Sequence, residues 1–190
     1  MPTIRSILLF PCLFVATALC VDLNAQSGVF LTEEDFYRQS FPEQKPEAKV
    51  LWLNKDHKTQ AKSILGHDFS RLRVRYQQVE QRTAWVLEEI GKDLPITFGV
   101  VVNNNRIETM DVLVFRETRG GEIRHRFFTQ QFVGLGLDEQ QSTSLDGNVD
   151  GITGATLSVR ASKKIATLAL FFHQLVTMSD KSSSAHQAQR

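Results

Sequence analysis

Residues 97–115 read TFGVVVNNNRIETMDVLVF, two apolar runs of strand composition joined by Asn103, Asn104 and Asn105. Asparagine tolerates the left-handed backbone conformation that tight turns require, so this stretch predicts a β-hairpin. Strand patterns lie before it and a long helical pattern lies after it. The chain therefore predicts an α+β fold, an antiparallel sheet packed by helices.

The region before the hairpin contains two more predicted strands. Strict alternation over residues 72–76 indicates a half-buried strand whose arginines face outward, and residues 83–90 have strand composition. Between the apolar run at 50–53 and these strands, residues 56–65 are compatible with a helix. Thr32, followed by three acidic residues, predicts the start of a first helix.

The region after the hairpin predicts a second turn and a long helix. Gly120 and Gly121 favour a tight turn that returns the chain as a strand over residues 123–128. Apolar residues recur every three or four positions across residues 158–176, which predicts an amphipathic helix laid on the sheet. Residues 178–190 are polar and serine-rich, so we expect a disordered tail.

The first 25 residues have the layout of a secretory signal peptide. A basic start is followed by an apolar run over residues 6–21 and by a small residue, Ala25, after which we expect cleavage. We therefore expect an exported, periplasmic protein; an uncleaved anchor and lipidation at Cys20 are the alternatives. Both Cys12 and Cys20 lie in this segment, so the mature chain has no cysteine for a disulfide, a metal site or a nucleophile.

Length and charge exclude several classes of function. The chain has 190 residues, 42% of them hydrophobic, which suits one domain with a packed core. Its formal net charge is only +1, so no basic field favours nucleic acid. The five histidines show no metal-ligand spacing, and we predict no metal-ligating and no catalytic residue.

Residues 146–158, DGNVDGITGATLS, carry the predicted chemistry. Small residues allow a ligand to approach the backbone, and free amides at the start of the following helix attract a phosphate. The first half resembles an EF-hand loop, but Leu157 stands where a bidentate glutamate is required, so calcium is a weaker alternative. A P-loop needs a lysine that is missing here, and a dinucleotide fingerprint needs a preceding parallel strand.

The second half of this segment resembles the flavinylation motif of the FMN-binding domain family. That domain occurs in subunits of the sodium-pumping NADH:quinone reductase and of Rnf-type electron-transport complexes. The motif is Asp, two residues, Ser or Thr, Gly, Ala, Thr, one residue, then Ser or Thr, and the chain matches every specified position. The matching residues are Asp150, Thr153, Gly154, Ala155, Thr156 and Ser158. The resemblance extends over roughly residues 97–172.

The resemblance implies covalent FMN, joined through its phosphate to the hydroxyl of Thr156. It also implies that neighbouring hydroxyl and carboxyl groups shape the site while small residues keep it open. Glu117 and Arg119, in the turn after the longest strand, are candidates for contacting the ring or the ribityl chain. The predicted cofactor-binding residues are Thr156, Asp150, Gly151, Thr153, Gly154, Ala155, Leu157, Ser158, Glu117 and Arg119.

Three phenylalanines are further candidates, for stacking on the flavin. Phe127, Phe128 and Phe132 lie between the hairpin and the motif. Phenylalanine in such a region usually belongs to the core, so the structural role is the more frequent one.

In this family a separate FAD:protein FMN transferase attaches the flavin, using FAD and magnesium. The resemblance therefore implies an electron-transfer module with a membrane-bound or periplasmic redox partner and no small-molecule substrate of its own. A flavoprotein reductase, or a flavin-free ligand or assembly module, are the alternatives. The predicted organisation is a signal peptide at 1–25, an N-terminal α/β part at 26–96, an FMN-binding core at 97–177 and the tail at 178–190.

Overall fold

The structure, a computed structural model, describes residues 28–187, and the side chains of residues 28–179. The predicted signal peptide and both cysteines lie outside the described residues. Six strands form one fully antiparallel sheet. The strands are β1 Gly28–Val29, β2 Glu47–Trp52, β3 Arg73–Val79, β4 Arg82–Ile90, β5 Pro95–Asn103 and β6 Arg106–Phe115. Their order across the sheet is β1-β6-β5-β4-β3-β2, which together with the helices confirms the α+β prediction.

The central hairpin forms as predicted. β5 and β6 pair in antiparallel register from Ile96 opposite Phe115 to Asn103 opposite Arg106. In the turn between them, Asn104 and Asn105 have φ angles of 49° and 61°. Both values lie in the left-handed region that asparagine enters more readily than most residues.

The prediction of a strand over residues 123–128 is wrong. In its place the chain forms a 3-10 turn at Gly121–Arg124, a short helix α3 at Arg126–Thr129, and a second 3-10 turn at Gln130–Phe132. The physical reason is the spacing of three buried side chains, Ile123, Phe128 and Phe132. A helical path turns all three toward the core, where the last two rings meet edge to face at 5.5 Å between centroids.

Three longer helices pack on the sheet: α1 at Glu33–Ser40, α2 at Lys55–Leu65 and α4 at Thr156–Gln187. Thr32 caps α1 as predicted, because its hydroxyl accepts a hydrogen bond from the amide of Asp35 at 3.1 Å. Among the residues that the structure describes, no helix is long and apolar enough to cross a membrane.

The last helix, α4, is longer than the sequence pattern indicates. It runs to Gln187 and not to residue 176, and so extends over most of the segment predicted to be a disordered tail. No glycine or proline follows Gly154 in the chain, so nothing in the local sequence ends the helix.

Different helices cover the two faces of the sheet. The inner face is covered by α2 and α4 and contains the main core, in which Trp85 stacks on Tyr76 at 4.5 Å and meets Phe172 at 5.7 Å between ring centroids. The outer face is covered by α1, whose Phe36 packs over Gly99. A Cβ at that glycine would lie 2.5 Å from the Phe36 ring, so the close approach of α1 requires glycine there.

Candidate functional site

Thr156 is the first residue of α4 and its side chain is exposed. The carbonyl of Ile152 accepts a hydrogen bond from Ala155 at 3.0 Å, and the carbonyl of Ala155 accepts the first helical bond from Val159 at 2.9 Å. Between them Gly154 has a φ of 84°, a left-handed conformation that turns the chain into the helix. The predicted acceptor hydroxyl is thus placed on a rigid element and faces solvent.

The start of α4 presents free amide groups beside this hydroxyl. Within residues 28–187, the amides of Thr156, Leu157 and Ser158 donate no hydrogen bond. Such amides carry the partial positive charge of a helix N-terminus and favour an anion. A Cβ at Gly151 or Gly154 would meet no atom within 4 Å, so the surface around them is open. The free amides and the open surface fit a phosphate group beside Thr156.

Polar contacts of Asp146 and Asp150 hold the loop that leads to the motif. The carboxylate of Asp146 accepts a hydrogen bond from the amide of Gly136 at 2.8 Å and forms an ion pair with Arg106. The hydrogen bond from Gly136 and the pairing with Arg106 lower the pKa of Asp146, against the effect of burial. The amide of Asp150 donates to the side chain of Gln131 at 2.6 Å. The loop is thereby tied to the hairpin and to the turn after α3.

The carboxylate of Asp146 would be the first ligand of the calcium alternative, and here it is paired with Arg106. In the described part of the chain, no group of three or more histidine, cysteine, aspartate or glutamate side chains is placed to hold a metal ion.

The turn after β6 lies directly against the motif through Gly120. Its φ is 84°, and a Cβ there would lie 2.7 Å from the hydroxyl oxygen of Ser158 and 3.4 Å from the Cβ of Ala155. Ser158 is buried in this contact. Sequence reasoning missed the contact, because the Gly120 and Gly121 pair indicated only a tight turn.

Glu117, predicted to contact FMN, organises this same turn. One of its carboxylate oxygens accepts hydrogen bonds from the amides of Lys92, Asp93 and Leu94, at 2.6, 2.7 and 2.9 Å. Burial acts to raise the pKa of Glu117, but the three hydrogen bonds lower it overall. The carboxylate therefore ties the turn after β6 to the turn between β4 and β5. Arg119 lies exposed in the same turn.

The predicted site residues separate by exposure. Asp150, Gly151, Thr153, Gly154, Thr156 and Leu157 are exposed on one continuous segment, whereas Ala155 and Ser158 are buried beneath it. Phe128 and Phe132 are buried in the core, in agreement with their structural interpretation, and Phe127 is exposed beside His125.

A hollow of about 270 Å³ lies beside the same turn. Its lining includes Phe30, Phe115, Glu117, Arg124 and His125. The guanidinium of Arg124 lies over the ring of Phe30, 4.6 Å from the centroid. The hollow therefore combines aromatic and basic groups close to the residues that contact the start of α4.

Part of the chain is similar to a known protein family. Residues 91–170 match the family model described as FMN-binding domain. The match begins in the turn bound by Glu117, includes β5, β6 and the whole motif, and ends within α4. A search of curated proteins and a search of solved structures each found no match.

Proposed function

Because residues 91–170 form an FMN-binding domain and the chain is thus an FMN-binding flavoprotein, we propose that it carries FMN covalently on Thr156 and transfers electrons outside the cytoplasm. The observation that carries the proposal is the position of the Thr156 hydroxyl, exposed at a helix start next to three free amides. A phosphodiester formed there has its negative charge beside the positive end of the helix.

The attachment step requires a second protein. A threonine hydroxyl is a weak nucleophile unless a base activates it, and no side chain in the described part of the chain is hydrogen-bonded to Thr156. We propose that an FAD:protein FMN transferase, with magnesium, supplies the base. The hydroxyl oxygen bonds to the phosphorus of the FMN half of FAD, the pyrophosphate P–O bond breaks, and AMP leaves. The exposure of the motif gives that enzyme access.

We propose distinct roles for the motif residues around the ester. Thr153 and the free amides contact phosphate oxygens, and Asp150 shapes the exposed rim. Gly151 and Gly154 keep the surface open for the cofactor, since neither position has a neighbour that a side chain would touch. Ser158, packed on Gly120, holds the turn that carries Glu117 and Arg119 close to the cofactor.

The tether has a physical benefit for an exported protein. A dissociable cofactor would be lost by dilution outside the cytoplasm, and a covalent bond prevents that loss. The flavin supplies the redox chemistry, while the chain supplies position and polarity. We therefore propose that the protein is an electron relay that accepts electrons from a membrane-bound or periplasmic partner. We further propose that the chain is exported and that its signal peptide is cleaved after Ala25.

The test is the intact mass of three proteins coexpressed with the transferase: wild type, Thr156→Val and Thr143→Val. Thr143 is an exposed threonine of the same loop, outside the motif, and serves as the matched control. We expect wild type and the control to gain the mass of one FMN less one water, and Thr156→Val to gain nothing. The same measurement on periplasmic protein should give a chain that begins at Gln26.

Flavin attached to Thr156→Val at the wild-type level would refute the assignment of the acceptor. A chain that retains its first 25 residues would refute cleavage, but would leave the assignment of Thr156 intact.

A further inference from the structure

A cleft of about 580 Å³ opens on the outer face of the sheet, opposite α4. The start of α1 forms one wall, and β3, β4 and β6 contribute most of the rest. The floor is apolar and includes Leu31, Val86, Leu113 and Val114. A concave site of this size with an apolar floor suits a small organic ligand better than an inorganic ion.

Arginine side chains dominate the polar lining of this cleft. Arg71 and Arg116 share one carboxylate, that of Glu88, with N···O distances of 3.2 and 3.7 Å. Thr97 donates a further hydrogen bond to Glu88 at 2.9 Å. These two guanidiniums therefore already have a carboxylate partner, and their contacts stabilise the wall of the cleft.

Arg73 and Arg75 differ from these two arginines, because they do not pair with Glu88. Among the side chains of residues 28–179 neither has a carboxylate partner, and Arg73 lies over the exposed ring of Trp52, 5.7 Å from its centroid. The lining contains four arginines against Glu33 and Glu88, a formal charge of +2, whereas the whole chain carries only +1. The cleft thus concentrates unpaired positive charge above an apolar floor.

We propose that this cleft binds an organic anion with an extended apolar body, of the class of medium-chain carboxylates. The carboxylate is held by Arg73 and Arg75, and the chain lies on Val86 and Leu113. The planar guanidinium fork matches a carboxylate, and the floor excludes water from the apolar part. A flat acidic protein surface would pair with the arginines but would leave the concave floor empty.

Tyr37 completes the wall on the side of α1. Burial raises the pKa of its hydroxyl, and the nearby charge of Glu33 acts in the same direction. The group therefore stays neutral at physiological pH and adds no negative charge that would repel the ligand.

The test is a titration of the full-length mature protein with dodecanoate, followed by tryptophan fluorescence and by calorimetry. Trp85 is fully buried on the inner face, so a fluorescence change reports on Trp52 beside Arg73. We expect saturable binding of dodecanoate. The affinities for dodecanol and for acetate should each be at least about tenfold lower, because dodecanol lacks the carboxylate that the arginines bind and acetate lacks the apolar chain that lies on the floor.

The matched variants are Arg73→Gln/Arg75→Gln and Lys55→Gln/Lys58→Gln, both of which remove two positive charges. The lysines lie on α2, which packs on the inner face. We expect the arginine variant to weaken dodecanoate binding by about tenfold or more and the lysine variant to leave it unchanged. Thermal unfolding of both variants checks that they fold.

Three results would overturn the proposal: no saturable binding to wild type, equal affinity for dodecanol, or an unchanged affinity in the arginine variant. Binding to phosphatidylglycerol vesicles without binding to free dodecanoate would also overturn it, in favour of a membrane surface. Loss of flavin attachment in Thr156→Val does not bear on this cleft, so the two proposals fail separately.

Discussion

The two faces of the sheet are covered to very different extents. On the inner face, α2 and α4 bury a continuous core that includes Trp85 and Phe172. On the outer face, α1 covers a small cluster around Phe36 and leaves Trp52, with the arginines beside it, in contact with solvent. The fold is therefore stabilised mainly from one side, while the other side keeps exposed charge and an open cleft.

The covered face also positions the candidate cofactor site. α4 is both the main cover of the inner face and the helix whose first residue is Thr156. Because its side chains interlock with a close-packed core, the helix cannot slide without creating cavities. The packing of residues far along α4 therefore fixes the position of the Thr156 hydroxyl.

The largest expected difference between the faces is in tryptophan substitution. Trp85 is 0% exposed and Trp52 is 65% exposed. We expect Trp85→Ala to lower the free energy of unfolding by about 4 kcal/mol, because it leaves a large cavity in the inner core. We expect Trp52→Ala to cost no more than about 0.5 kcal/mol. Urea unfolding of both variants measures the difference, and similar losses would refute the asymmetry.

Because His173 is buried on the inner face, we expect the free energy of unfolding to fall in acid. The backbone amide of Asn105 can only donate, so the Nε2 atom of His173 accepts its hydrogen bond at 3.3 Å. The proton then lies on Nδ1, which donates to the hydroxyl oxygen of Thr83 at 2.8 Å. Burial lowers the pKa of His173 from 6.5 to about 4.

Because the unfolded histidine takes up its proton first, stability is complete above pH 6.5 and is lost as pH falls toward 4. We expect a loss of about 3 kcal/mol from this group. The measurement is urea unfolding across this pH range for wild type, His173→Gln and the exposed control His125→Gln. Only His173→Gln should lack this loss of stability between pH 6.5 and 4. An identical pH profile in all three proteins would contradict the attribution of the loss to His173.

Two adjacent carboxylates give the smallest contrast. Glu89 points to the inner face, is 3% exposed, and pairs with Lys164 at 2.8 Å and His67 at 2.9 Å. Glu88 points to the outer cleft and is 37% exposed. We expect Glu89→Gln to cost about 2 kcal/mol, because it strips a partly buried lysine of its partner, and Glu88→Gln to cost under about 1 kcal/mol. Equal losses in thermal unfolding would show that burial does not separate the two.

Several features of the fold are predictable because they depend on near neighbours in the chain. The asparagine turn at 103–105 and the cap at Thr32 are present as predicted, and the strand predicted at 72–76 is present as β3, Arg73–Val79. The predicted strand at 123–128 fails because a pair of glycines and a few apolar residues suit a hairpin and a helical turn equally well. Only burial of Phe128 and Phe132 in the core distinguishes the two.

The sequence by itself determined the antiparallel hairpin and predicted the motif at residues 150–158 with its candidate acceptor Thr156, because each of these depends on residues a few positions apart. It took the folded molecule to establish that Gly120 packs on Ser158, that Glu117 binds the turn at 92–94, and that the outer arginines surround an apolar cleft. Local backbone preferences act over a few residues. Contacts between distant segments follow from which apolar surfaces must be buried together, and no short pattern encodes that choice.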